Sequence, residues 1–294
     1  NSDLVVNLNS AQMRVLTSSQ LNALTSAALQ AVGTADVQAL TTTQVNAMDV
    51  GQLNALTTEQ IVALSTAQVR SLTSSQLNNL GSEMVQALVS LQLRAISSDQ
   101  LRAMDVGQLN LLASDQVMSL TTGQVQALNT SQVSQLASTQ LTSFDSSQVK
   151  ALTSSQLNVL TSAAMQAIET ADLQAISSSA LAAMPSAQLN KLSTDQVQAL
   201  TTVQVKALTS DQLNGLTSAA IQVLTNTELQ ALTTAQAQSL TSATLNTLTT
   251  DQVQTLTTAV VRAVSTTSLQ GLSTDQLNAL TSDQVLALSS SQVQ

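Results

Sequence analysis

The chain repeats every eight residues from one end to the other without an insertion or deletion, so its 294 residues resolve into 36 octads and six residues more. A period this short and unbroken belongs to a repeat architecture, in which each unit is stable only against its neighbours. Number each octad so that its eighth residue falls on a multiple of eight. A typical one then reads Thr153-Ser154-Ser155-Gln156-Leu157-Asn158-Val159-Leu160. Position 8 is apolar in all 36 complete octads and is Leu in 27. Position 5 is Leu, Val, Ile or Met everywhere except Ala237. Position 7 is most often Ala, position 2 is Ser or Thr nearly throughout, and position 4 is Gln in 25 of its 37 occurrences.

Positions 5 and 8 lie three apart, with a small residue at 7, which is not the alternation of a strand. One continuous helix fails as well. Eight residues overshoot two turns by about 80°, so an apolar stripe would wind around a rod instead of facing one core. The dense Ser and Thr content disfavours it further. A short helix restarted in every octad fits. Thr, Ser, Asp or Asn at position 1 is an N-cap. Gln three residues on completes a capping box, and the apolar residues at 8 and at the following 5 are the two ends of a hydrophobic staple. A helix of about five to seven residues is unstable alone, so it must bury positions 5, 7 and 8 against other octads.

Charge placement points the same way. All 17 acids fall at positions 1, 3 or 4, ten of them at 3, whereas seven of the eight cations fall at 6 and Lys191 at 7. Acids at the start and cations toward the end complement a helix dipole, and a β-solenoid has no reason to sort charge so. The expected fold is therefore all-α: a solenoid or superhelix of very short helices, one per octad, continuous over residues 1–294. A β-solenoid is the alternative. Neighbouring helix axes should lie about 8–10 Å apart.

Composition narrows the function. With no His and no Cys, the usual zinc sites, disulfides and His-activated nucleophiles are excluded. The acids are scattered singly and form no calcium loop. No catalytic residue, cofactor or metal is expected, and the chain is read as a non-enzymatic structural protein. The net charge of −9 with eight dispersed cations argues against duplex nucleic acid as partner. No apolar run approaches the roughly 20 residues that span a bilayer, so membrane insertion is not expected. The expected partners are flanking repeats or further copies of the chain, with a surface or protein ligand as a further class. The chain starts at Asn1 and stops within an octad at Gln294, as a processed form or a segment of a longer array would.

Runs such as Leu56-Thr57-Thr58-Glu59-Gln60-Ile61-Val62-Ala63-Leu64 and Ile168-Glu169-Thr170-Ala171-Asp172-Leu173-Gln174-Ala175-Ile176 resemble the Leu-Thr-x-x-Gln-Val/Ile-x-Ala-Leu tracts of very large proteobacterial surface proteins, described as adhesin-like or haemagglutinin-like. The resemblance covers the whole chain through a motif of low complexity. It implies a bacterial extracellular or cell-surface location and a role as stalk, spacer or scaffold. A self-assembling filament or sheath subunit and a peptide-binding solenoid are the alternatives. One octad also looks similar to the repeat helix of TAL effectors, but those repeats are several times longer and carry a base-reading loop that this chain lacks.

Two local features stand out. Val89, at a cap position, and Leu91, at position 3, are apolar where the pattern is polar, and form a candidate contact patch. Asp49-Val50-Gly51-Gln52-Leu53-Asn54 recurs at Asp105-Val106-Gly107-Gln108-Leu109-Asn110, 56 residues on. That spacing is either a superhelical period or a segmental duplication, and duplication is the favoured reading.

Overall fold

The computed structural model describes residues 8–293. Over that span the chain forms 36 α-helices of four to six residues, one to each octad, from Ser10–Val15 to Ser290–Val293, with no strand among the described residues. The all-α expectation is met, and the β-solenoid alternative falls.

The octad 201–208 shows why each helix starts and stops where it does. Thr201 is extended (φ −76°, ψ 155°) and caps the helix Thr202–Ala207. Its Oγ1 accepts the Gln204 N–H at 3.2 Å, and Gln204 Oε1 accepts the Thr201 N–H at 2.9 Å. Leu208 ends the helix in an extended conformation (φ −59°, ψ 136°), and Thr209 (φ −73°, ψ 161°) begins the next cap. Two extended residues in succession thus turn the chain. No described residue has a positive φ, so the turn needs no glycine. Pro185 occupies one such cap with φ −62° and ψ 150°, close to the angle its ring imposes.

The chain divides into two compact units, Asn1–Ala151 and Leu152–Gln294, here called the first and second halves. Within each, a helix packs on the third one along. In the first half Ser10–Val15 lies on Thr34–Ala39, which lies on Thr58–Ala63. In the second, Thr234–Ser239 lies on Thr258–Ala263, which lies on Ser282–Ala287. Side-chain hydrogen bonds between coils join residues 25, 27, 28, 30 or 31 apart. One coil therefore closes after more than three and fewer than four octads. The middle of that window is 28 residues. Asp49 N–H donates to Asn22 Oδ1 and Asp105 N–H to Asn78 Oδ1, a bond that Gly81, Ala137, Thr217, Thr241 and Ser273 also make with an asparagine 27 residues before.

The core differs from the expected stripe in one position. Positions 5 and 8 are buried as expected; Val205 is 0% exposed and Leu208 3%. Position 7 is only partly in the core: Ala127, Ala151 and Ala279 are buried, Ala39 and Ala47 half-buried, and Ala23 and Ala31 exposed. Position 4 joins the core, with Gln68, Gln148 and Gln204 fully enclosed. Position 7 is small for another reason: it opposes position 2 of the coil before. The approach is tightest at Gly215 and Gly271, where an added Cβ would lie 2.6 Å from Ser186 Oγ and from Ser242 Cβ respectively.

Position 5 is covered by the coil that follows. Leu269 is 6% exposed, but Leu277 and Val285, which have fewer than 24 residues after them in this sequence, are 47% and 48% exposed.

Candidate functional site

The polar groups that recur inside each coil form a lattice of amide bonds. Gln204 Nε2 donates to Leu173 O at 3.0 Å and Ile176 O at 2.9 Å, carbonyls of the octad four before. Gln44 treats Met13 O and Leu16 O likewise at 2.8 Å each, and Gln236 treats Val205 O and Leu208 O. One glutamine therefore closes its own capping box with Oε1 and ties two coils together with Nε2. Both bonds answer the requirement that buried backbone groups be paired. The capping-box reading of position 4 was right and incomplete.

Position 6 works in the opposite direction. Asn190 Nδ2 donates to Gly215 O at 2.7 Å, 25 residues on, and its Oδ1 accepts the Thr217 N–H at 3.0 Å, 27 residues on. Asn54 and Asn214 do the same toward Gly81 and Thr241. These three octads lack Gln at position 4, carrying Met84, Ala220 and Thr244 instead. The asparagine thirty residues earlier is the acceptor for the cap N–H there, as it also is in the octads of Gln52, Gln108, Gln140 and Gln276, where the glutamine is present. Position-6 cations join the same scheme: Arg94 Nε donates to Ser119 O at 2.9 Å and Arg102 Nε to Ala127 O at 3.1 Å. For Arg94 and Arg102 the place at position 6 has this bond as a cause, besides the helix dipole.

Among the described residues the acids at position 3 face solvent. Glu59 stands below its ordinary carboxyl value, held first by its own backbone N–H and then by the Thr57 hydroxyl, as a carboxylate in the first turn of a helix should be. Among the described residues no three His, Cys, Asp or Glu cluster as metal ligands would. No described helix is long and apolar enough to cross a membrane. The enclosed cavities between core residues measure about 10–20 Å³, room for about one water each.

The predicted contact patch lies on the surface. Val89 is 39% exposed and Leu91 69%. Val89 gives no side-chain cap, yet its N–H still reaches Gln92 Oε1 at 2.9 Å. Two further exposed residues belong with this pair by register: Val62, which the sequence did not single out, 27 residues before Val89, and Met118, an apolar exception the sequence placed apart from the patch, 27 after Leu91, at 47% and 50% exposure. The first offset is that of Asn22 and Asp49, which are in contact. The second is that of Glu59 and Gln86, which face each other across an open groove of about 600 Å³. A similar groove of about 350 Å³ runs between Thr250 and Gln254 on one side and Asp275 and Asn278 on the other.

No curated protein matches the chain. A family model described as the ALTTAQ repeat matches in four places, residues 29–66, 59–90, 165–202 and 261–290. The six letters stand in this chain at residues 231–236. In the structure they are the junction between helices: the small position 7, the core Leu232, the cap Thr233, and, after two surface positions, the bridging amide Gln236. With matches in both halves, the chain is a repeat protein whose recurring unit is that junction.

Proposed function

We propose that this chain is a non-enzymatic structural repeat region that acts as a spacer or stalk, within a large bacterial surface or secreted protein of the adhesin-like kind. One observation carries the reading. The recurring buried amides of each half join one coil to the next by the same bonds, so that every octad adds an equal increment of structure. The surface location rests on the resemblance of the octad to tracts of such proteins. The exposure of Val62, Val89, Leu91 and Met118 supports these residues as the spacer's point of contact with another protein.

A spacer should lengthen in proportion to its repeats. Inserting seven octads within one half adds two coils. With helices packed about 8–10 Å apart, the maximum dimension in small-angle X-ray scattering should grow by about 16–20 Å. Sedimentation across a concentration series should show a monomer throughout. Growth of the sedimenting species with concentration would replace the spacer with the filament alternative.

A further inference from the structure

One carboxyl is buried among the described residues: Glu228, at position 4 of its octad and 3% exposed. It completes a capping box, its Oε2 accepting the Thr225 N–H at 2.6 Å and its own N–H donating to Thr225 Oγ1 at 3.3 Å. The other task of a position-4 side chain is to donate to carbonyls 31 and 28 residues back, as Gln236 does to Val205 and Leu208 and Gln212 to Leu181 and Met184. From Glu228 those offsets fall on Val197 and Leu200. A glutamine brings two N–H bonds to such a pair. A carboxylic acid brings one O–H. A carboxylate brings none and sets its charge against the negative ends of two carbonyl dipoles.

We propose that Glu228 is a proton-operated latch between its own octad and the octad 193–200: protonated, it donates to a carbonyl of that coil and holds the contact closed; ionised, it releases it. Burial pushes its carboxyl above the ordinary value, while the Thr225 N–H and hydroxyl pull it down by less. The ionisable residues on the helices around it are Asp195 in Thr194–Gln198, Lys206 in Thr202–Ala207, Asp251 in Thr250–Thr255 and Arg262 in Thr258–Ala263, all exposed. None of these charges is among the causes that move the Glu228 carboxyl. Because the folded value is raised, the latch contributes its full stability below the ordinary carboxyl range. That contribution is lost as pH rises through the folded value.

The test compares the chain with Glu228→Gln by hydrogen exchange of the amides in octads 193–200 and 225–232, each normalised to its intrinsic rate. At pH 7 the chain should exchange about tenfold faster than Glu228→Gln, and at pH 4 the two should agree within about twofold. Glu228→Ala, which has neither the charge nor the donor, should exchange fast at both pH values. An equal ratio of chain to Glu228→Gln at the two pH values would overturn the latch. So would slow exchange of Glu228→Ala at pH 4.

Discussion

Replacing Leu208 with Asp should unfold the second half of the chain at neutral pH. Replacing Val203 with Asp, five residues earlier in the same octad, should change stability by no more than about 0.5 kcal/mol. Leu208 is 3% exposed and Val203 66%. The first substitution forfeits about 1.5–3 kcal/mol of apolar burial and adds the cost of an unpaired charge in a core without polar partners, several kcal/mol more. In a repeat array stability is a sum over neighbouring interfaces, and Leu208 lies in the octad bridged by Gln204 behind and Gln236 ahead. The damage therefore spreads to the coils before and after. Position 3 carries an acid in ten octads of this sequence already, so Val203→Asp only adds another. Thermal melts followed by circular dichroism read the contrast, and equal losses for both variants would refute the assignment of positions.

Removing residues 201–208 should leave helicity per residue intact, whereas removing 201–204 should destroy cooperative folding. After the eight-residue deletion, Gln212 stands 31 residues beyond Leu173 instead of Leu181, and the new carbonyl is equivalent to the old one. There are two identifiable costs. Thr217 loses Asn190 as its acceptor, and Ala220 offers no amide in exchange, which should destabilise by about 1–3 kcal/mol; and Val223 takes the place of Gly215 against Ser186, where even a Cβ is crowded. The four-residue deletion instead moves every apolar position 8 beyond the cut onto the place of position 4. Each bridge across the cut then misses its carbonyl. Circular dichroism and urea titration distinguish the two, and equal tolerance of both deletions would remove the octad as the structural unit.

What the sequence made legible was whatever lies within one octad. Thr at position 1, Gln three residues on and Leu at 5 and 8 declare a capped helix, because all four meet inside a span of eight residues. The bonds that escaped detection join residues 25 to 31 apart. No local pattern says how many octads close a coil, so Gln204 was read as a cap and not as a bridge. Ala at position 7 was placed in the core, where Ala127, Ala151 and Ala279 do lie, but the opposing position 2 that crowds Gly215 and Gly271 there could not be seen, since only the coil brings the two together. No trace of the coil lay in the asparagines either: thirty residues after Asn54, Asn190 and Asn214 stand Met84, Ala220 and Thr244, but after Asn22, Asn78, Asn110 and Asn246 stand Gln52, Gln108, Gln140 and Gln276. Val89 and Leu91 were found from their positions alone, but Val62 and Met118 join them only once the coil is known.

Closure of the coil between the third and fourth octads is best tested by cross-linking, because the chain has no cysteine of its own. Asn54 Oδ1 accepts the Gly81 N–H at 2.8 Å and lies 3.7 Å from where a Gly81 Cβ would stand, so the two positions are neighbours across the coil. Asn54→Cys paired with Gly81→Cys should therefore oxidise to an intramolecular disulfide under native conditions. Asn54→Cys paired with Thr73→Cys or Val89→Cys, one octad short and one octad long, should stay reduced. Equal oxidation of all three pairs, or oxidation of either control in preference to Gly81→Cys, would contradict the coil on which this account rests.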